Sequence, residues 1–196
     1  MINFGALQTA CLNWQKNAPF PHFVVDNFFD DEVASKLERE FPDFEDDVWY
    51  KYGNAIEIKK VCNNWNVFAE QTYKTFTLLN SPKFVTDLGK LLFKKDVLHA
   101  DFGLNGGGLH IHSAGGKLNT HLDYSLHPKV FLQRKLNVIV YLNSRWEEAW
   151  GGSLGLWSNE SDKAPGDLVK QIAPVFNRAV IFDTTCNNDA RISINK

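Results

Sequence analysis

The sequence predicts an α+β, mainly β fold, with helices first and an antiparallel barrel or sandwich of short strands after them. Three observations carry this. Apolar residues recur at helical spacing in the first half, as at Val33, Leu37 and Phe41. From Leu98 onward short β-prone runs alternate with Gly, Asn and Pro turns. Fifteen Phe and six Trp, within an aromatic content of 13%, supply the large side chains of a well-filled β-rich core. At 196 residues the chain is read as one domain, a helical part over about 1–97 and a barrel part over about 98–196. A chain of this size buries roughly 70% of its unfolded surface.

Taken in order, Phe23-Val24-Val25 reads as a short strand. Asp30 is placed to cap a helix that carries Val33, Leu37 and Phe41 and stops before Pro42. Val67 to Leu79 is a second helix. Ser81-Pro82 then reads as an N-cap followed by proline at the first helical position, and the helix it opens buries Phe84, Val85, Leu88, Leu91 and Leu92. The strands follow: Gly108 to His112, Leu118 to Leu122, Leu136 to Leu142, Ser153 to Trp157, Val169 to Ile172 and Ala179 to Phe182. Leu136-Asn137-Val138-Ile139-Val140-Tyr141-Leu142 is the clearest central strand. Gly151-Gly152 and Asn177-Arg178 mark tight turns.

Composition narrows the function classes. A net charge of −2 without charge blocks argues against nucleic acid as a partner. Cys11, Cys62 and Cys186 are odd in number and lack C-x-x-C spacing, so neither a zinc site nor a disulfide framework is expected. Free thiols fit a reducing, cytoplasmic setting. The first twenty residues lack a basic segment followed by an apolar run, and no stretch nears the roughly 20 apolar residues of a membrane span. Asn159-Glu160-Ser161 fits a glycosylation sequon that a cytoplasmic chain would not use. Gly115-Gly116-Lys117 lacks the remaining residues of a P-loop.

The chemistry is concentrated at His121-Leu122-Asp123. Side chains two apart on a strand share a face, so an H-x-D triplet brings an imidazole and a carboxylate to one place. That is two-thirds of a 2-His-1-carboxylate Fe(II) site. By itself the triplet is equally readable as polar residues at a strand end. A third ligand, a distal histidine, is expected downstream, yet no histidine follows His127.

The surroundings of the triplet carry a resemblance. His110-x-His112-Ser-Ala-Gly-Gly-Lys-Leu-Asn-Thr-His121-Leu-Asp123 is followed by Arg134-Lys-Leu-Asn-Val-Ile-Val-Tyr141-Leu-Asn143, Trp146 and Gly151-Gly152-Ser-Leu-Gly-Leu-Trp157. Pro174-Val-Phe176-Asn177-Arg178 and Val180-Ile-Phe182-Asp-Thr come next, and Pro19-Phe-Pro-His22-Phe-Val-Val-Asp26 precedes them all. In this order the motifs resemble the prolyl-hydroxylase-like 2-oxoglutarate/Fe(II) oxygenases over about residues 19–185. The resemblance implies a double-stranded β-helix, a cupin-like jelly-roll barrel, with the N-terminal helices packed on one sheet. It implies Fe(II), 2-oxoglutarate as co-substrate and ascorbate as an auxiliary reductant. His121 and Asp123 match the proximal metal ligands and so the catalytic centre. Tyr141 matches the tyrosine that binds the 2-oxoglutarate carboxylate, although a core aromatic is its alternative. His112 falls where relatives contact the co-substrate, with a satisfied strand histidine as the other reading. Arg134 is expected to be structural, pairing with an acidic loop. The implied substrate is a prolyl or other C–H compound, peptidyl or small.

The resemblance breaks after Thr185. In the family a His-Gly near Ala190 supplies the distal ligand, and a basic residue one strand later binds the far carboxylate of 2-oxoglutarate. Here the chain reads Cys186-Asn-Asn-Asp-Ala190-Arg191-Ile-Ser-Ile-Asn-Lys196. Three expectations follow: a tail frameshifted or truncated relative to the family, with the last barrel strands missing; a non-catalytic barrel acting as a binding module; or a site completed by His127, Cys186 or Asp189. A missing closing strand exposes a sheet edge through which two copies can pair.

Overall fold

The computed structural model describes residues 1–95, 98–161, 164–185 and 191–195. In chain order these form α1 (Phe4–Ala10), β1 (His22–Val25), α2 (Asp31–Arg39), β2 (Tyr50–Gly53), β3 (Glu57–Cys62), α3 (Glu70–Leu79), α4 (Pro82–Phe93), β4 (Leu109–Ile111), β5 (Lys117–Leu122), β6 (Leu136–Val140), β7 (Ser153–Ser161), β8 (Ala164–Ile172), β9 (Ala179–Asp183) and β10 (Arg191–Asn195). No helix among the described residues is long and apolar enough to cross a membrane.

Local signals set the helix ends. Ser81 Oγ accepts from the Phe84 amide at 3.2 Å, with Pro82 opening α4; such a cap contributes about 1 kcal/mol. Asp30 precedes α2 as expected, but its carboxylate pairs with the N-terminal amine of Met1 instead of capping the helix. α3 starts three residues later than the periodicity implies, because Trp65–Val67 form a separate 3₁₀ turn.

Two antiparallel sheets face one another in the expected jelly-roll arrangement, without closing into a continuous barrel. One has the order β1-β9-β6, and the other runs β2-β3-β5-β10-β7-β8 with β4 also paired to β3. β9 is buried along its whole length, because it is covered on both faces. Ala179 and Ile181 pack outward with Leu7, Phe23, Val25, Leu37, Leu88 and Leu92, against the helices. Val180 and Phe182 point inward and pack with Phe20, Leu154, Leu156, Ile172 and Ile192 between the sheets. A strand sandwiched this way reads as an unbroken apolar run.

The expected loss of the strands after Thr185 requires correction. β10 lies between β5 and β7, with Ile192 opposite both His121 and Leu156 and Arg191 opposite Leu122. Arg191-Ile-Ser-Ile alternates polar and apolar residues, and its isoleucines join the core between the sheets. β10 gives β5 a hydrogen-bonded neighbour on the side away from β3, which fixes the strand that carries His121.

β4 is positioned by a glycine. Gly108 holds φ at +105°, and a Cβ there would lie 2.3 Å from the Cys62 carbonyl oxygen. No other residue tolerates that approach of β4 to β3. Leu109 and Ile111 then face Trp49, Cys62 and Phe76 on the outer side, so His110 and His112 take the inner side.

Candidate active site

The two sheets build one polar region between them, at the end of β5. His121 lies within the strand and Asp123 just beyond it. His121 Nε2 and Asp123 Oδ1 are 3.5 Å apart, and both side chains are largely covered. His121 Nδ1 lies 2.8 Å from the Asn119 carbonyl oxygen, an acceptor that holds the proton on Nδ1. The Nε2 lone pair is therefore the free one, in the arrangement typical of a metal-ligating histidine with its other nitrogen tied down. Two donors bound side by side to one ion stand about 3 Å apart, so the observed spacing suits a shared cation.

Asp123 is oriented from its other oxygen. Asn137 Nδ2 donates to Oδ2 at 3.2 Å, and Arg134 approaches the same atom at 3.6 Å. Burial pushes the Asp123 carboxyl up, but the His121 hydrogen bond, the Arg134 charge and Asn137 outweigh it and hold the group below its usual range. Burial pushes His121 down, and Asp123 with the Asn119 carbonyl outweighs that, leaving its affinity for a proton raised. Each group thus favours the charged form of the other. Arg134 thus pairs with Asp123 itself, and stacks over Tyr124 at 4.8 Å, where the sequence suggested an acidic loop partner.

Tyr141 and His112 face the same interior. In β6, Leu136, Val138 and Val140 pack toward the helices; Ile139 and Tyr141, of opposite parity, pack between the sheets. The Tyr141 hydroxyl is buried without a hydrogen-bond partner among the described residues, as is His112 Nδ1. Burial raises the Tyr141 pKa, keeping the phenol protonated. Burial first and the Lys59 charge second lower that of His112, keeping the imidazole neutral. A neutral phenol and a neutral imidazole, both unpartnered, offer hydrogen bonds to a ligand. An uncompensated buried polar group costs about 1–3 kcal/mol, so such groups are seldom left without purpose.

His127 does not join the His121–Asp123 pair. Its Nδ1 accepts from the amides of Lys129 and Val130 at 3.1 and 3.2 Å. Its Nε2 lies 3.3 Å from Asp101 Oδ1, out of hydrogen-bond alignment. His127 is the hub of the loop leading from Asp123 to Arg134. Cys186 and Asp189, the other candidates for a third ligand, lie outside the described residues. Among the described residues no group of three His, Cys, Asp or Glu side chains gathers.

Sequence reasoning missed Asn137, Glu57 and Lys59. A lone polar residue inside the apolar run Leu136 to Leu142 was the available signal for Asn137. β3 offers none, since Glu57-Ile-Lys-Lys-Val-Cys62 shows no clean alternation.

Comparisons with known proteins bear on the family and the fold. Residues 107–194 match the 2OG-Fe(II) oxygenase superfamily. No curated protein sequence matches the chain. Among solved structures, a Pseudomonas putida prolyl-4-hydroxylase is 15% identical with a TM-score of 0.56, over 95% of this chain and 90% of that one. A prolyl hydroxylase from Trichoplax adhaerens, in complex with a hypoxia inducible factor oxygen degradation domain peptide fragment, is 14% identical with a TM-score of 0.62, over 96% and 86%. A prolyl 4-hydroxylase from Phytophthora capsici is 13% identical with a TM-score of 0.52, over 100% and 62%. The family match thus covers the second half of the chain, and across its length the fold resembles that of the prolyl hydroxylases.

Proposed function

We propose that the protein is a dioxygenase that hydroxylates a C–H bond of a prolyl or related peptidyl substrate, with Fe(II) held by His121 and Asp123 and 2-oxoglutarate by Tyr141 and His112. The observation that carries this reading is the 3.5 Å pairing of His121 Nε2 with Asp123 Oδ1, each oriented through its other polar atom. Bound Fe(II) and 2-oxoglutarate supply the oxidising chemistry, coupling oxidative decarboxylation of the 2-oxo acid to C–H hydroxylation. The chain's own residues supply position and surroundings. Asp123 stays ionised, and Asn137 and Arg134 fix its plane. His121 presents its Nε2 lone pair, with Nδ1 held to the Asn119 carbonyl. Tyr141 donates its hydroxyl proton to an acceptor on the co-substrate, and His112 offers its unpartnered Nδ1. Leu118 and Ile192, next to His121, add apolar surface that excludes water. A peptidyl substrate is supported by the Trichoplax neighbour, whose structure holds a peptide, and by the open cleft beside His121.

A second reading, a non-catalytic jelly roll that binds a ligand without metal, is favoured by one observation. Arg134 and Asn137 already balance the Asp123 carboxylate without a metal ion. Anaerobic titration with Fe(II), or with Mn(II) as an oxygen-stable substitute, separates the two. The enzyme reading expects metal binding that 2-oxoglutarate tightens and that Asp123→Ala abolishes. Binding that is absent, or indifferent to Asp123→Ala, overturns it and leaves the binding module. Loss of His127 as a ligand candidate directs the search for a third donor to Cys186 and Asp189, by substitution of each.

A further inference from the structure

We propose that Tyr124 is a positioning residue: it holds the Arg134 guanidinium off Asp123, so that the carboxylate stays open to a cation. This rests on the functional reading above and adds a restraint that keeps the proposed metal ligand available.

An arginine beside a carboxylate tends to close on it, with two parallel N–H···O bonds of about 2.7–2.9 Å. Arg134 has not closed. Its Nη2 stands 3.6 Å from Asp123 Oδ2, although the two side chains are only 16% and 14% exposed, a setting that strengthens their attraction. Arg134 acts on Asp123 through its charge, whereas His121 and Asn137 act through hydrogen bonds. A closed fork would take both carboxylate oxygens. One of them is the Oδ1 that lies 3.5 Å from His121 Nε2, and a cation between the two residues would lose it.

The Tyr124 ring supplies the restraint. The guanidinium carbon lies 4.8 Å from the ring centroid, and a planar guanidinium stacks well on an aromatic face, more so away from water. The ring is itself fixed. Its hydroxyl donates to the Asn105 carbonyl, in a loop anchored from several sides. The Asp101 carboxylate accepts from the Gly103 and Asn105 amides at 2.9 and 2.7 Å. Trp65 Nε1 donates to the Phe102 carbonyl at 2.8 Å, and Asn63 Nδ2 to the Leu104 carbonyl at 3.4 Å. Gly106 completes the fit. A Cβ there would lie 3.2 Å from Tyr124 Cε1 and 3.6 Å from Arg134 Nη1, so bare backbone lets ring and guanidinium both sit against the loop. Tyr124 follows Asp123 directly, and the Arg134 amide returns to the Ser125 carbonyl at 2.8 Å. One ring, tied to a braced loop, thus stands beside both partners of the ion pair.

The experiment measures Mn(II) affinity by the electron paramagnetic resonance of the free ion, with no turnover needed. Tyr124 is 36% exposed, so its replacement leaves the core intact. Tyr124→Leu is expected to weaken Mn(II) about tenfold or more, the usual scale for groups that orient a ligand. Tyr124→Phe, which keeps the stacking face, retains most of the affinity. Adding Arg134→Met to Tyr124→Leu removes the group that captures the carboxylate, so the double variant is expected to bind more tightly than Tyr124→Leu alone. A double variant no tighter than Tyr124→Leu overturns the inference, as does a Tyr124→Leu protein that binds like wild type. A second measurement needs no metal. In wild type the Arg134 Nη protons are expected as one averaged NMR signal, and in Tyr124→Leu a bidentate pair stops rotation about Nε–Cζ and splits them. Absence of that splitting overturns the inference. Wild-type protein that fails to bind Mn(II) overturns the functional reading; splitting in metal-free Tyr124→Leu then still supports the restraint.

Discussion

Two histidines, His22 fully buried and His112 half-buried, face the interior between the sheets and are treated in opposite ways. His22, wholly buried on β1, has both ring nitrogens engaged: Nδ1 is 2.8 Å from the Phe20 carbonyl oxygen and Nε2 is 3.1 Å from Lys170 Nζ. His112, just beyond β4, leaves Nδ1 unpartnered among the described residues, and the Tyr141 hydroxyl is equally bare. Around His22 the space is filled by Phe20, Leu154, Leu156, Val180 and Phe182. Beside His112 stand the charged Lys59 and Glu57 of the neighbouring β3. Folding has completed one end of the interior and left the other waiting. Buried polar groups are nearly always satisfied, so the unsatisfied end is where a ligand is to be expected.

The largest effect that sharpens this contrast is at the filled end. Leu156 is fully buried and packs on Ile192 and Leu154. Leu156→Ala is expected to cost about 2–5 kcal/mol in chemical denaturation, while Mn(II) affinity of the folded fraction stays near wild type. A cost below about 1 kcal/mol would mean that the apolar end is not the stabilising one.

Next comes the loop between the two ends. His127 Nδ1 accepts the Lys129 and Val130 amides, holding a turn in which Phe131 sits at φ +55° and 73% exposed. His127→Ala strands both amides and is expected to destabilise the loop by about 1–3 kcal/mol. Hydrogen exchange at Lys129 and Val130 reads this directly, and His127→Asn, which keeps an acceptor, should slow exchange again. Unchanged exchange in His127→Ala would remove its role as the hub.

The same contrast governs what could be read from the residues alone. β9 and β6 were legible because burial on both faces demands unbroken apolar runs, and α4 because Ser81-Pro82 announces its start. α1, β2 and β3 were not. α1 is short and its cap, Asn3 accepting from the Ala6 amide at 3.1 Å, is a weak signal. β2 is exposed along its length, and β3 carries its charges inward at Glu57 and Lys59. A strand that puts charge inside has no period-2 hydrophobic pattern to betray it. His121, Asp123, Tyr141 and His112 were found as motif positions; the structure pairs His121 with Asp123 and turns Tyr141 toward the interior between the sheets. Asn137 and the Arg134–Asp123 pairing depend on β6 lying across from β5, a long-range relation that no local spacing encodes.

A smaller effect follows from the proton on His22. Burial, reinforced by the Lys170 charge and opposed by the Phe20 carbonyl, lowers its pKa in the folded chain. The unfolded chain takes up a proton near the ordinary value of about 6.5, and the folded chain only at lower pH. The stability His22 contributes is therefore complete above about pH 6.5 and is lost as pH falls from there through the lowered folded value. Denaturant midpoints measured from pH 7.5 down to 5 should fall, and His22→Gln should flatten part of that fall. His112 and His110, both lowered chiefly by burial, His110 to about 4, keep part of the remainder. A midpoint independent of pH across that window would contradict the burial of His22 and His112 as neutral rings.

The smallest effect on stability tests the unsatisfied end most cleanly. Tyr141→Phe removes a hydroxyl that has no partner among the described residues and leaves the ring packed against Ile139 and Phe182. Deleting an uncompensated polar group is near neutral or stabilising, so the denaturation midpoint should hold within about 0.5 kcal/mol or rise. At a satisfied site the same change costs about 1 kcal/mol. If the hydroxyl serves the co-substrate, the affinity of the Mn(II)-loaded protein for 2-oxoglutarate should fall about tenfold, which is about 1.4 kcal/mol. Stability held with affinity lost makes the bare hydroxyl a binding group. Stability lost with affinity held makes Tyr141 a core residue like His22, and the contrast between the two ends would then rest on His112 alone.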